Sequence, residues 1–313
     1  MEIDFIGERI VSADVGQTIL EASLRSGIPH YHACGGNAKC STCRIKIVEG
    51  SENLSSISRK EQKLRKSITL SPDVRLACQT TVTKGTVKVV RLIRDDSDIS
   101  KQLNGSRYLS EDTLNSRPLG EERHLVLLFL DIRDFTPFVE TNLPYDVIDV
   151  WRRLFGIFYK AIENHRGTVI ETAGDQLYAV FGFSSSLKEA SKGAIEAGRK
   201  ILEELEKFNG SPVAMAFPRE FQVGIGIHSG KVIVGEMQLG KMKKTSVMGL
   251  AVNIASRIQE ATKTLNNSLV VSDEALLHST LVASGQEETI SLKGISSAVR
   301  VHLLGRPYFL KVP

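Results

Sequence analysis

Over the first 94 positions, apolar residues come in short runs separated by turn signals. Ile3–Val11 holds two apolar stretches around Gly7, a pattern that predicts a hairpin. Ile19, Ala22 and Leu24 lie near one face of Thr18–Ser26, and Gly27 follows, which predicts a helix and its stop. Arg44–Val48 alternates polar and apolar positions, as a half-buried strand does. Arg59–Ser67 reads as a charged surface helix and Thr86–Ile93 as a last strand. The pattern then lapses. Asp, Ser, Asn and Gly dominate residues 95–120, which predicts a linker, with a short helix around Ile99–Leu103.

From His124 the pattern is that of an α/β domain. The apolar run Leu125–Leu130 predicts a buried strand, with a loop over Asp131–Thr136. Val147, Val150, Leu154, Phe158 and Ile162 recur at helical spacing, predicting a helix over Pro144–Asn164. Strands at Thr168–Thr172 and Leu177–Phe181 are joined through Ala173–Gly174–Asp175, and a long amphipathic helix covers Ser186–Lys207. Gln222–His228 and Val232–Glu236 read as a second hairpin, turning at Ser229–Gly230. A helix, strand, helix and strand complete the chain. The expected organisation is a small domain over 1–94, a linker over 95–120, a larger domain over 121–305 and a tail over 306–313.

Charge separates the two halves. Residues 1–94 hold 15 Lys and Arg against 9 Asp and Glu, and the remainder holds 25 against 27. The basic half lacks the interleaved aromatics of single-stranded nucleic-acid binders, so no nucleic-acid partner is expected. No apolar run is long enough to span a bilayer. The opening MEIDFIGERI has neither the basic nor the apolar region of a secretion signal, so a cytoplasmic location is the expectation.

All four cysteines fall in the first domain, spaced Cys34-x5-Cys40-x2-Cys43-x34-Cys78. Four soft thiolates suit zinc or iron–sulfur. Zinc sites more often show two separate cysteine pairs, whereas here three sit together in a glycine-rich loop, CGGNAKCSTC, and one lies apart. That loop and Leu76-Ala77-Cys78-Gln79 resemble the 2Fe-2S ferredoxins. The spacing is one residue longer than the plant type and is similar to the adrenodoxin type. The resemblance implies a β-grasp ferredoxin domain with Cys34, Cys40, Cys43 and Cys78 as cluster ligands. Ferredoxins that carry electrons between proteins are usually acidic. The basic charge here favours a domain that informs its own chain over a free electron carrier.

Two carboxylates stand out in the larger domain. Asp131 ends the apolar strand in LFLDIRDFT, and Asp175 sits in the turn of ETAGDQLYAVFG. Taken singly, either is an ordinary cap or turn residue; brought together, they could hold Mg²⁺ or Mn²⁺. DIRDFT, TAGDQLYAVFG, GIGIHSGKVIVG and VNIASR together resemble the class III adenylyl and guanylyl cyclases, in family order, over residues 121–305. The resemblance implies a ferredoxin-like α/β catalytic domain, so the whole chain is expected to be α+β.

It also implies a homodimer with active sites between the chains. Asp131, the Ile132 carbonyl and Asp175 would hold two Mg²⁺ or Mn²⁺ ions. Backbone N–H groups around Phe135 and Thr136 would receive phosphates. Asn253 and Arg257, four apart on one helix, would act from the partner chain on ribose and on the transition-state charge. Lys293 is a candidate triphosphate contact, and His228 is read as structural.

Glu171 and Ser246 stand at the base-recognition positions. Adenylyl cyclases of this family usually have Lys at the first. Glu171 can instead accept from guanine N1–H and N2–H₂, which leans to GTP, while the family prior leans to ATP; Ser246 decides nothing. The function expected is conversion of ATP or GTP to the cyclic nucleotide, under redox control from the cluster domain. Its alternatives are an electron-transfer protein whose cyclase-like domain only dimerises, and a cluster that merely braces its own domain.

Overall fold

The computed structural model describes residues 1–93, 120–239, 242–279, 281 and 286–308. It falls into two compact units, one built on the first 93 residues and one on residues 122–234 and 245–308. The expected linker, apart from Gly120, and its short helix around Ile99–Leu103 lie outside the described residues.

The first unit is a five-stranded sheet of order β2-β1-β5-β3-β4, formed by β1 (Glu2–Phe5), β2 (Arg9–Ser12), β3 (Arg44–Glu49), β4 (Val74–Leu76) and β5 (Thr86–Arg91). The β1–β2 hairpin turns at Gly7, whose φ of 78° suits glycine. Helix α1 (Ile19–Arg25) opens on a capping box in which Thr18 and Glu21 satisfy each other's backbone N–H groups. Its apolar face packs Ile19, Leu20 and Ala22 with Ile3, Phe5, Ile45 and Val87.

Helix α2 (Arg59–Arg65) is not purely a surface element. It buries Glu61, which accepts from Arg75 Nε at 3.1 Å, from Arg65 at 3.3 Å and from the Leu76 N–H at 3.2 Å. This ion cluster clamps α2 to the strand that leads into Cys78. Removing one partner of a buried pair strands the other charge, so Glu61→Ala is expected to destabilise this unit by about 3 to 5 kcal/mol. A denaturant midpoint compared with wild type checks it.

The second unit is an eight-stranded sheet. Its path is β12-β13-β11-β9-β6-β8-β7, with β10 paired to β9. The strands are β6 (Glu121–Ile132), β7 (Gly167–Ala173), β8 (Gln176–Phe181), β9 (Val223–Leu239), β10 (Met242–Met248), β11 (Leu269–Ser272), β12 (Gln286–Ile290) and β13 (Val299–Leu303). The helices are α3 (Phe135–Thr141), α4 (Pro144–Asn164), α5 (Leu187–Asn209), α6 (Pro212–Met215), α7 (Leu250–Ala261) and α8 (Asp273–Ser279). Central β6 is buried on both faces, which is why it reads as a continuous apolar run. Val126, Leu128 and Leu130 point into the core with α4 and α5, while Leu125 and Leu127 pack with Val232, Val247 and Ala251.

The expected turn at Ser229–Gly230 is not there. Strand β9 runs straight through it for 17 residues. Gly230 serves a close approach instead, since a Cβ there would come within 2.6 Å of Ala251 Cβ on α7. Gly226 does the same four residues earlier, where a Cβ would collide with the backbone of Gln259. The glycines of this segment thus seat α7 against the sheet.

Candidate functional site

Antiparallel pairing of β6 with β8 sets Asp131 opposite Gln176, so Asp175 lies at the same end of the sheet. The Ile132 N–H bonds the Asp175 carbonyl at 3.4 Å, fixing the two segments together. Gln176 Nε2 donates to Asp131 Oδ2 at 3.2 Å, and Arg133 Nη1 reaches Oδ1 at 3.4 Å. Burial, and then the neighbouring Asp175 charge, push the Asp131 carboxyl above the usual carboxylate range. A partly buried pair of like charges is a receptor for a cation. Two carboxylates leave most of an octahedral shell to water and phosphate oxygens, as Mg²⁺ prefers. Among the described residues no group of three or more His, Cys, Asp or Glu side chains converges on one ion.

The Asp175 turn is braced from outside. Gly174 adopts φ 61°, and Trp151 Nε1 on α4 donates to its carbonyl at 2.9 Å. Past Asp131, Asp134 takes a left-handed conformation (φ 50°) and opens α3 without a side-chain cap. The first N–H groups of α3, at Phe135 and Thr136, therefore lack that partner. Arg219 holds this loop by donating to the carbonyls of Arg133 at 2.7 Å and Asp134 at 2.8 Å. Neither Trp151 nor Arg219 belongs to any motif, and only the fold brings them here.

Asn253 and Arg257 lie on the side of α7 away from its buried Ala251, Ala255 and Ile258. Arg257 Nη1 pairs with Glu260 at 2.5 Å. Among the described residues, no hydrogen bond or ion pair joins Asn253 or Arg257 to Asp131 or Asp175 in the same chain. Glu171 is exposed on β7 opposite Tyr178, and Ser246 is half-buried on β10. Their neighbours Ile170 and Val247 both pack into the apolar cluster around Leu125 and Leu127. Lys293 is exposed beside Gly294, in the connection between β12 and β13. His228 is buried, with Nδ1 2.9 Å from Ser272 Oγ, and burial holds it down to about 4, a neutral strand residue.

In the first unit the four cysteines form two pairs. A hydrogen bond from Cys40 holds the Cys34 thiol down to about 5, and one from Cys43 holds Cys78 down to about 7. Cys40 and Cys43 are pushed up by the same bonds. The loop reaches this arrangement through left-handed Gly35, Gly36 and Ala38. Further donors face sulfur: Thr42 Oγ1 lies 3.1 Å from Cys40 Sγ, and Gln79 Nε2 lies 3.6 Å from Cys78 Sγ. Two adjacent thiol pairs suit a dinuclear cluster, with one pair per iron, better than a single zinc.

Residues 120–306 match the family model for the adenylate and guanylate cyclase catalytic domain, and residues 4–83 match that for the 2Fe-2S iron–sulfur cluster binding domain. Adenylate cyclase 1 of Rhizobium meliloti is 28% identical over 181 residues, covering 58% of this chain and 27% of that protein. This chain thus spans about a quarter of that relative's length. The crystal structure of the guanylyl cyclase Cya2 superposes with a TM-score of 0.54 at 27% identity, covering 58% of this chain and 92% of that one. The adenylyl cyclase CyaB from P. aeruginosa shares the fold, at TM-score 0.54 and 22% identity, over 58% of this chain and 93% of that one. Among the described residues no helix is long and apolar enough to cross a membrane.

Proposed function

The chain belongs to the adenylate and guanylate cyclase catalytic-domain family, and from that premise we propose that it cyclises ATP or GTP at two sites shared across a homodimer, under control of a 2Fe-2S domain. One observation carries the shared site. Asp131 and Asp175 meet at one sheet end, while Asn253 and Arg257 face outward from α7 without reaching them. A second copy supplies the missing half by symmetry, as an isologous pair does.

The ribose 3′-hydroxyl attacks the α-phosphorus in line, forming the cyclic ester as the α–β bond breaks and pyrophosphate leaves. Asp131, Asp175 and the Ile132 carbonyl would hold two Mg²⁺ or Mn²⁺ ions, which when bound lower the hydroxyl pKa and neutralise phosphate charge. Phe135 and Thr136 offer backbone N–H groups to the β- and γ-phosphates, and Lys293 is a further triphosphate contact. Asn253 of the second chain orients the ribose. Arg257 of the second chain meets the charge that grows on the α-phosphate; to do so it exchanges its Glu260 partner for the nucleotide. Glu171 favours guanine, through N1–H and N2–H₂, and Ser246 accommodates either base. Adenylate cyclase 1 of Rhizobium meliloti and the guanylyl cyclase Cya2 point opposite ways on the base.

Cys34, Cys40, Cys43 and Cys78 would hold the cluster, which when bound supplies a one-electron couple. The protein as isolated is then expected to carry two irons and two labile sulfides per chain. Cys43→Ser is expected to lose the visible absorption of the cluster; one zinc per chain would overturn this assignment. The deciding assay is anaerobic turnover of ATP and of GTP, in Mg²⁺ and in Mn²⁺, before and after reduction. The expected result is a cyclic nucleotide whose rate changes with reduction. Equal rates in oxidised, reduced and cluster-free protein would remove the redox control, and no cyclic product would remove the enzyme.

A further inference from the structure

Arg133 has no part in the chemistry above, yet it is built deeply into the site. It lies two residues past Asp131 and is 7% exposed. Its Nη2 donates to Thr262 Oγ1, just beyond the end of α7, and to the Tyr308 hydroxyl at 3.1 Å. The Tyr308 ring lies beneath the guanidinium, 5.1 Å from centroid to Cζ. Proton bookkeeping at both hydroxyls is complete: Thr262 spends its proton on the Gln259 carbonyl at 2.5 Å, and Tyr308 spends its own on the Asn267 carbonyl at 3.1 Å. Each therefore has lone pairs left to accept from the arginine. The slot exists because residue 224 is glycine. A Cβ there would overlap the Arg133 guanidinium and crowd Thr262 Oγ1.

The contact from Arg133 to Asp131 is loose by comparison, a single approach at 3.4 Å. Guanidinium–carboxylate pairs free to close do so at about 2.8 Å, often through two parallel bonds. Two anchors and a tight slot hold this one back. Released, Arg133 could close on Asp131 and occupy the oxygens that a divalent ion needs.

We propose that Thr262 and Tyr308 are positioning residues for the divalent-ion site: they restrain Arg133 so that it steers the Asp131 carboxylate without sequestering it. This rests on the reading of Asp131 as a metal ligand. Partners that orient a metal-binding side chain typically govern affinity by about 10- to 100-fold.

The test uses the full chain with Mn²⁺ and a non-cyclisable nucleoside triphosphate, free Mn²⁺ being read by electron paramagnetic resonance. The Thr262→Val, Tyr308→Phe double variant is expected to bind Mn²⁺ at least about 10-fold more weakly. The Mn²⁺ concentration for half-maximal turnover should rise in step, while KM for the nucleotide at saturating Mn²⁺ holds. Thr262→Ser, which keeps the hydroxyl, is expected to behave as wild type. Tyr308→Phe alone keeps the ring against the guanidinium and should show a smaller loss in the same direction, which preserves the test if the double variant does not fold. Unchanged Mn²⁺ affinity in Tyr308→Phe and in a folded double variant overturns the proposal. A lowered melting temperature with unmoved Mn²⁺ affinity overturns it too. A wild type that binds Mn²⁺ but cyclises neither nucleotide would instead sink the cyclase reading.

Discussion

Asp131→Asn and Asp175→Asn are each expected to cut cyclase turnover by about 1,000-fold, the loss that several kcal/mol of charge stabilisation represents. Both substitutions are close in shape and should leave the sheet intact, because the β6–β8 register rests on backbone bonds. Asp131→Asn has a second, opposite consequence. The folded protein raises the Asp131 pKa through burial and the Asp175 charge, so ionising Asp131 costs stability. That penalty is absent at low pH. It appears as pH rises from the ordinary value of about 3.9 through the higher folded value, and persists above it. Without divalent ions, the metal-dead Asp131→Asn variant should therefore melt no lower than wild type at neutral pH, and its advantage should vanish in acid. Thermal melts at both pH values, beside the activity assay, separate loss of chemistry from loss of fold.

Arg257→Ala is expected to lower kcat by about 100- to 1,000-fold with little change in nucleotide KM, as removing one donor aimed at transition-state charge does. Among the described residues of the single chain, the guanidinium pairs with Glu260 and makes no ion pair with Asp131 or Asp175. Its proposed work is done only where charge builds on the α-phosphate, so binding in the ground state should survive its loss. Asn253→Ala should act in the same direction through the ribose. Steady-state kcat and KM, measured at saturating Mn²⁺, check both. A large rise in KM with unchanged kcat would assign Arg257 to binding instead.

Much of this architecture is legible in the sequence, for identifiable reasons. The helix expected over Pro144–Asn164 forms over that span, because five apolar residues at helical spacing have a single core to face. The strand expected at Leu125–Leu130 is observed, but it extends to Ile132. Asp131 therefore sits on the strand end and takes its position from the β8 register.

The glycines of β9 carry a turn signal without making a turn. Ser229–Gly230 looks like a turn, and only the packed α7 reveals that the missing Cβ makes room for Ala251. Strand β10 gives no strand signal, because Met242–Met248 is largely polar, with Lys243, Lys244, Thr245 and Ser246 in one run. The burial of Glu61 was hidden for a similar reason. A charged helix looks solvated until its partner Arg75 arrives from another strand. Around the site, the motif residues were visible in sequence and their supports were not. Trp151, Arg219, Thr262 and Tyr308 act through contacts 23 to 175 positions away along the chain. No local pattern encodes contacts of that kind.

In the proposed dimer each active site takes its metal carboxylates from one chain and its transition-state arginine from the other. Mixing two inactive variants, Asp175→Asn and Arg257→Ala, tests it most directly. In the mixed dimer one site receives both lesions and the other receives neither. With random pairing, the mixture should regain about a quarter of wild-type turnover, as two-fold symmetry requires. A mixture of folded, dimeric variants that stays as inactive as its components would contradict the shared site.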